Sequence, residues 1–75
     1  MPSTNTVQGR IIAVQEMCFR ILTADGRGFL FTLSHRARAD TDDLHRWHRH
    51  DKPVRVTYSG EPGLDSGIAR AVDLI

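Results

Sequence analysis

Apolar and polar residues alternate with a period of two along most of this chain, which is typical of half-buried β-strands. The first stretch, residues 6–16, carries Gly9, and a glycine inside a strand often marks a bulge or a bend. Two further strands, residues 18–23 and 28–34, flank an Asp25-Gly26 pair that predicts a tight hairpin with positive φ angles. Residues 53–59 and 68–75 predict a fourth and a fifth strand.

One helix of two to three turns is predicted between the third and fourth strands, in the sequence DTDDLHRWHRHD. Asp40 or Thr41 can cap its first turn, and Pro53 prevents it from continuing. A helix turns 100° per residue, so Leu44, Trp47 and His48 fall on one face, which we expect to be buried. The predicted order of elements is β-β-β-α-β-β.

That order, Gly9 in a long first strand and the Asp-Gly turn together resemble the OB-fold, a five-stranded Greek-key barrel. The resemblance covers residues 6–75 and extends to small stand-alone bacterial OB-fold proteins of unassigned function. It implies an all-β fold with one short helix, formed as a single OB-like domain, after a disordered N-terminal arm at residues 1–5. Because OB-folds often bind nucleic acid, it also implies a nucleic-acid ligand by analogy.

Charge and cysteine content limit the function less sharply. Ten Lys and Arg residues against nine Asp and Glu residues give a net charge of +1, far from that of strongly basic nucleic-acid-binding domains. Cys18 is the one cysteine, so no internal disulfide can form, and we expect a cytoplasmic protein. No apolar run is long enough to cross a membrane, and we expect no membrane contact.

The histidine-rich run HRWHRH invites a metal-binding interpretation. On a helix, however, His45 and His50 lie about 140° apart, so the three histidines cannot converge on one ion. His45 and His48 could share an ion with the distant His35 or Cys18, but the sequence does not place these residues together. Metal binding is therefore a remote alternative, and we predict no cofactor and no metal.

Catalysis is not expected, because no nucleophile stands beside a base in a known motif. The protein is predicted to be a small non-catalytic binding module that binds single-stranded nucleic acid weakly through phosphate contacts. The residues that would make those contacts are Arg20, Arg27, Arg36 and Arg38.

The alternative is a protein-interaction or assembly module that uses a strand edge or the aliphatic face containing Leu22 and Leu30. The two functions can be distinguished by which side chains of the second and third strands face outwards. Phe19 and Phe29 exposed beside Arg20 or Arg27 would favour nucleic acid, whereas an aliphatic exposed face would favour a protein partner. The sequence leaves the oligomeric state open.

Overall fold

The chain forms a closed five-stranded β-barrel with one short helix, as a computed structural model shows for residues 4–60 and 67–75. The predicted fold class and the order β-β-β-α-β-β are confirmed. The elements are β1 (Asn5–Gln15), β2 (Cys18–Leu22), β3 (Gly28–Leu33), α1 (Thr41–Arg49), β4 (Pro53–Ser59) and β5 (Ile68–Leu74).

The barrel closes because its first strand pairs on both sides. β1 pairs with β4 from Asn5 to Arg10 and with β2 from Arg10 to Gln15. The order around the barrel is β1-β2-β3-β5-β4, and a short parallel pairing of β3 with β5 completes it. This arrangement is consistent with an OB-like fold. β1 begins one residue before the predicted start of the domain, since Asn5 already pairs with Tyr58.

The core is apolar and fills the barrel, as strand alternation predicts. Among its members, Phe19 and Phe31 hold their ring centroids 5.7 Å apart, and both side chains are almost fully buried. The fully or nearly fully buried hydrophobic residues are Ile11, Phe19, Ile21, Phe31, Leu33, Ala39, Leu44, Val54, Val56, Ala69 and Val72.

Gly9 lies where β1 turns from β4 towards β2. A Cβ atom at this position would stand 2.5 Å from the carbonyl oxygen of Leu22 and 2.6 Å from the Cγ2 atom of Ile21. Real Cβ contacts are not that short, so only glycine lets β1 pass this close to β2.

The hairpin between β2 and β3 differs from the tight two-residue turn predicted from the Asp-Gly pair. Of that pair, Gly26 alone has a positive φ, 85°, so the turn does not use the positive angles of two successive residues. The N–H of Gly26 donates to the Thr23 carbonyl at 3.0 Å, and the N–H of Thr23 donates to the Arg27 carbonyl at 2.9 Å. A longer loop results, with glycine where the left-handed conformation falls. A hydrogen bond from the Thr23 hydroxyl lowers the pKa of Asp25.

The helix begins as predicted with Asp40 as its N-cap. The N–H of Asp43 donates to the Asp40 carboxylate at 2.9 Å, and the N–H of Asp40 donates to the Asp43 carboxylate at 3.0 Å. The hydrogen bond from the Asp40 N–H lowers the pKa of Asp43, and the nearby Arg46 guanidinium lowers it further.

The predicted buried face of the helix is partly wrong. Leu44 is fully buried and Trp47 packs against the core while keeping part of its surface exposed, but His48 is exposed. With Leu44 at 0° on a helical wheel, Trp47 lies at about 300° and His48 at about 40°. The side of the helix between Trp47 and Leu44 contacts the barrel, so His48 lies just beyond the buried stripe.

Candidate binding surface

The outer faces of β1, β2 and β3 form a surface that includes Arg20, one of the predicted phosphate contacts. Phe19 on β2 is 1% exposed, which answers the question of strand phase for this residue. Arg20, Leu22 and Leu30 point outwards instead. The aromatic rings of this region therefore stabilise the core, and the exposed side carries aliphatic groups around one arginine.

A β-bulge adds to this aliphatic face. Ile11 pairs with Ile21 and Ala13 pairs with Arg20, so Ile12 is an extra residue without its own partner on β2. Strict alternation would turn Ala13 inwards, but the bulge leaves both Ile12 and Ala13 exposed. The exposure of these two residues cannot be predicted from the sequence, because no turn residue or proline marks the bulge.

These side chains surround a groove of about 300 Å³, here called the outer groove. Ile12 and Leu30 are its large aliphatic members, with 42% and 36% of their surface exposed. Cys18 lies at one end, where its Sγ atom is 3.8 Å from the hydroxyl of Thr32. The residues that line the outer groove are Ile12, Ala13, Gln15, Cys18, Phe19, Arg20 and Leu30.

Arg20 is the charged group of the outer groove. It stands in a cross-strand row between Ala13 and Leu30, with an aliphatic neighbour on each side. Within residues 4–60 and 67–75, the ion pairs are Arg10 with Asp51 and Arg46 with Asp43, and Arg20 belongs to neither. The groove therefore combines an apolar wall with a cation that is available to an external anion.

A second groove, of about 330 Å³ and here called the end groove, lies where β1 leaves β4 and joins β2. Arg10 pairs with Pro53 on one side and with Leu22 on the other, so β4 and β2 diverge from each other at this point of β1. Its cation is already engaged, because Arg10 holds Asp51 at 2.8 Å. The residues that line the end groove are Gln8, Gly9, Arg10, Leu22, Thr23, Ala24, Pro53 and Ile75.

The four arginines predicted to contact phosphates are all exposed, but the fold distributes them along the barrel. Arg20 lies in the middle of β2, whereas Arg27 flanks the hairpin and holds its guanidinium 5.5 Å from the centroid of the Phe29 ring. Arg36 and Arg38 follow β3, where they alternate with alanines that pack towards the core. No two of them share a cross-strand pairing within the described strands.

Among the aromatic residues of β2 and β3, Phe29 is the one that keeps part of its surface exposed and could contact a ligand. It is partly buried, it stacks on Phe31 with centroids 6.4 Å apart, and Arg27 covers it. The Arg27 guanidinium already occupies a position over this ring, where it would compete with a stacking base. In an OB-fold the loops between the first two and the last two strands border the ligand cleft; here the β1–β2 turn is short, and residues 61–66 of the β4–β5 loop lie outside the described residues.

The helical histidines do not meet. His45, His48 and His50 are each exposed, and the described part of the chain contains no group of three or more His, Cys, Asp or Glu residues placed to hold a metal ion. Among those same residues, no helix is both long and apolar enough to pass through a membrane.

Comparison with known proteins adds no relative from which a role could be transferred. No family model, curated protein or solved structure matches the chain. The outer groove and its arginine are therefore the features on which a functional proposal rests.

Proposed function

We propose that this protein is a non-catalytic interaction module whose outer groove binds a partner protein through a segment that combines aliphatic side chains with a carboxylate. The observation that carries the proposal is the exposure of Ile12 and Leu30 on either side of Arg20. Of the two functions predicted from sequence, this is the one favoured by an aliphatic exposed face.

Aliphatic side chains suit a protein partner better than a nucleic acid. Bases bind single-strand-binding surfaces by stacking on exposed aromatic rings, and Phe19 is buried. Ile12 and Leu30 offer no π face, but they can bury the side chain of a leucine, isoleucine or valine.

The position of Arg20 specifies the charge of the partner. A guanidinium flanked by aliphatic groups loses hydration when a partner covers it, so the partner has to supply a hydrogen-bonding anion. A symmetric pairing of two copies centred on this residue would set Arg20 against Arg20, which is unfavourable. The proposed partner is therefore a different chain that contributes Asp or Glu to the contact.

A small probe tests this chemistry directly. Titration with 4-methylpentanoate, which joins a branched aliphatic group to a carboxylate, is expected to shift the amide NMR signals of Ile12, Arg20 and Leu30. The neutral amide of the same acid should shift them far less. Arg20→Gln should remove that difference, and the matched control Arg49→Gln, on the exposed side of the helix, should preserve it.

A second pair of variants tests the apolar wall. Leu30→Ser should weaken the binding of 4-methylpentanoate, whereas Leu74→Ser, an exposed leucine outside both grooves, should leave it unchanged. Equal binding of the acid and its amide, or signals that move elsewhere on the barrel, would contradict the proposal.

Weak binding of single-stranded nucleic acid through Arg20, Arg27, Arg36 and Arg38 is the second candidate. It is supported by their exposure and by the fact that none belongs to an ion pair with another described residue. With a short oligonucleotide, log K should fall against log salt with a slope of roughly −0.7 per phosphate contact. Arg36→Ala should flatten that slope and Arg49→Ala should not. Unchanged NMR signals at low salt would rule this candidate out.

A further inference from the structure

We infer that a partner segment held in the outer groove continues across Leu22 into the end groove, so that the occupant is an extended segment with its carboxylate near one end and an aliphatic anchor near the other. This inference rests on the proposed function and adds the length and direction of the partner. It follows from the way the two grooves adjoin on the barrel.

Leu22 connects the grooves. On β2, Leu22 is two residues from Arg20, so its row is displaced from the Arg20 row by about 7 Å along the strand. Its side chain is 42% exposed and lines the end groove, while Arg20 lines the outer groove. One partner chain can therefore contact both grooves without leaving the aliphatic surface.

The path across Leu22 is open on the β3 side. Its partner there is Gly28, and a Cβ atom placed on Gly28 would have no described atom within 4 Å. On the β1 side Leu22 faces Arg10, which is tied to Asp51. A segment crossing at this point is bounded by an ion pair on one side and has free space on the other.

The charges give the segment a direction. Arg20 in the outer groove has no acidic partner within the described ranges, whereas the Arg10 charge in the end groove is neutralised by Asp51 at 2.8 Å. A carboxylate is therefore favoured at the outer groove, and an uncharged aliphatic side chain is favoured beside Leu22, Pro53 and Ile75.

The spacing sets the length of the segment. Leu22 stands about 7 Å from Arg20 along β2, and the end groove extends past it to Ala24 in the hairpin turn, so two anchors about 10–14 Å apart would reach both grooves. An extended chain advances about 3.3 Å per residue, so the two anchors would be about four residues apart and on the same side of the segment. A peptide of about eight residues is long enough to occupy both.

Two exposed alanines allow the grooves to be blocked separately. Ala13 lines the outer groove and Ala24 lines the end groove. The probes are 4-methylpentanoate and a synthetic peptide of about eight residues, in which a leucine follows a glutamate by four positions. Thr6→Trp, exposed on the β1–β4 face, is the control for adding a large ring, and the melting temperature of each variant verifies folding.

We expect Ala13→Trp to abolish binding of both probes. Ala24→Trp should weaken the peptide about tenfold, which corresponds to about 1.4 kcal/mol, and leave 4-methylpentanoate binding unchanged. Two results would overturn the inference while leaving the proposed function intact. One is an Ala24→Trp variant that binds the peptide as tightly as the wild type does, and the other is a wild-type protein that binds the peptide no more tightly than 4-methylpentanoate. Unchanged binding of both probes in Ala13→Trp would overturn the proposed function itself.

Discussion

Replacing Gly9 by alanine would place a methyl group where β1 and β2 are in contact. The new Cβ atom would lie 2.5 Å from the Leu22 carbonyl oxygen, a backbone atom held in the hairpin, and 2.6 Å from the Ile21 Cγ2 atom, which is fully buried. Neither neighbour can rotate away freely, so β1 has to shift against both of its partner strands.

The magnitude follows from two opposing effects. Adding a methyl group to a close-packed contact costs about 1–3 kcal/mol. Alanine also reduces the conformational entropy of the unfolded chain, which offsets about 0.4–1 kcal/mol because Gly9 does not have a left-handed φ. Since a backbone carbonyl yields less than a side chain, we expect a net loss of about 2 kcal/mol, or a fall in melting temperature of about 8–16 °C.

Urea denaturation of Gly9→Ala and of Gly28→Ala provides the assay and its matched control. Gly28 also lacks a positive φ, but a Cβ atom there meets no described atom within 4 Å, so Gly28→Ala should be neutral or slightly stabilising. A Gly9→Ala variant as stable as Gly28→Ala, with an unchanged denaturant slope, would refute the close-contact argument.

Four further predictions concern the helix, a turn and metal ions. Asp43→Asn should destabilise the protein at neutral pH, and because its folded pKa lies below the usual 3.8, this difference should shrink in denaturation curves as the pH falls through that lower value. Trp47→Ala should cost about 2–3 kcal/mol, less than a fully buried tryptophan, whereas His48→Ala should stay within about 0.5 kcal/mol; thermal unfolding compares them. Glu16 has a φ of 56°, so Glu16→Asn should raise stability by about 0.5–1 kcal/mol in urea titrations, and no gain would show that this turn is unstrained. Micromolar zinc should leave the melting temperature unchanged, and a rise reversed by a chelator would contradict the spread of the helical histidines.

The fold follows from local signals in the sequence. Alternation predicted all five strands, and the first strand and the helix began within one residue of their predicted positions. Asp40, which appears in the sequence as a candidate cap, is the N-cap that the structure shows. These features depend on residues close to one another in the chain, so the local sequence pattern is enough to predict them.

Which residues of β1 and of the helix are exposed, by contrast, was decided by the tertiary structure. The bulge at Ile12 reverses the alternation within β1, and it arises from pairing with β2 rather than from a local sequence signal. The width of the buried helix stripe, which left His48 exposed, is set by the barrel surface, chiefly β1, against which the helix packs.

The sequence by itself determined that Phe19 and Arg20 point to opposite sides of β2, because that depends on backbone geometry alone. Only the closed barrel decided which side is the interior. Closure buried Phe19, left Arg20 between Ile12 and Leu30, and brought Leu22 next to Pro53 and Ile75 from the far end of the chain. The end groove exists because β2 and β4, which are distant in sequence, diverge from each other along β1 next to Gly9, and no local pattern of residues encodes that arrangement.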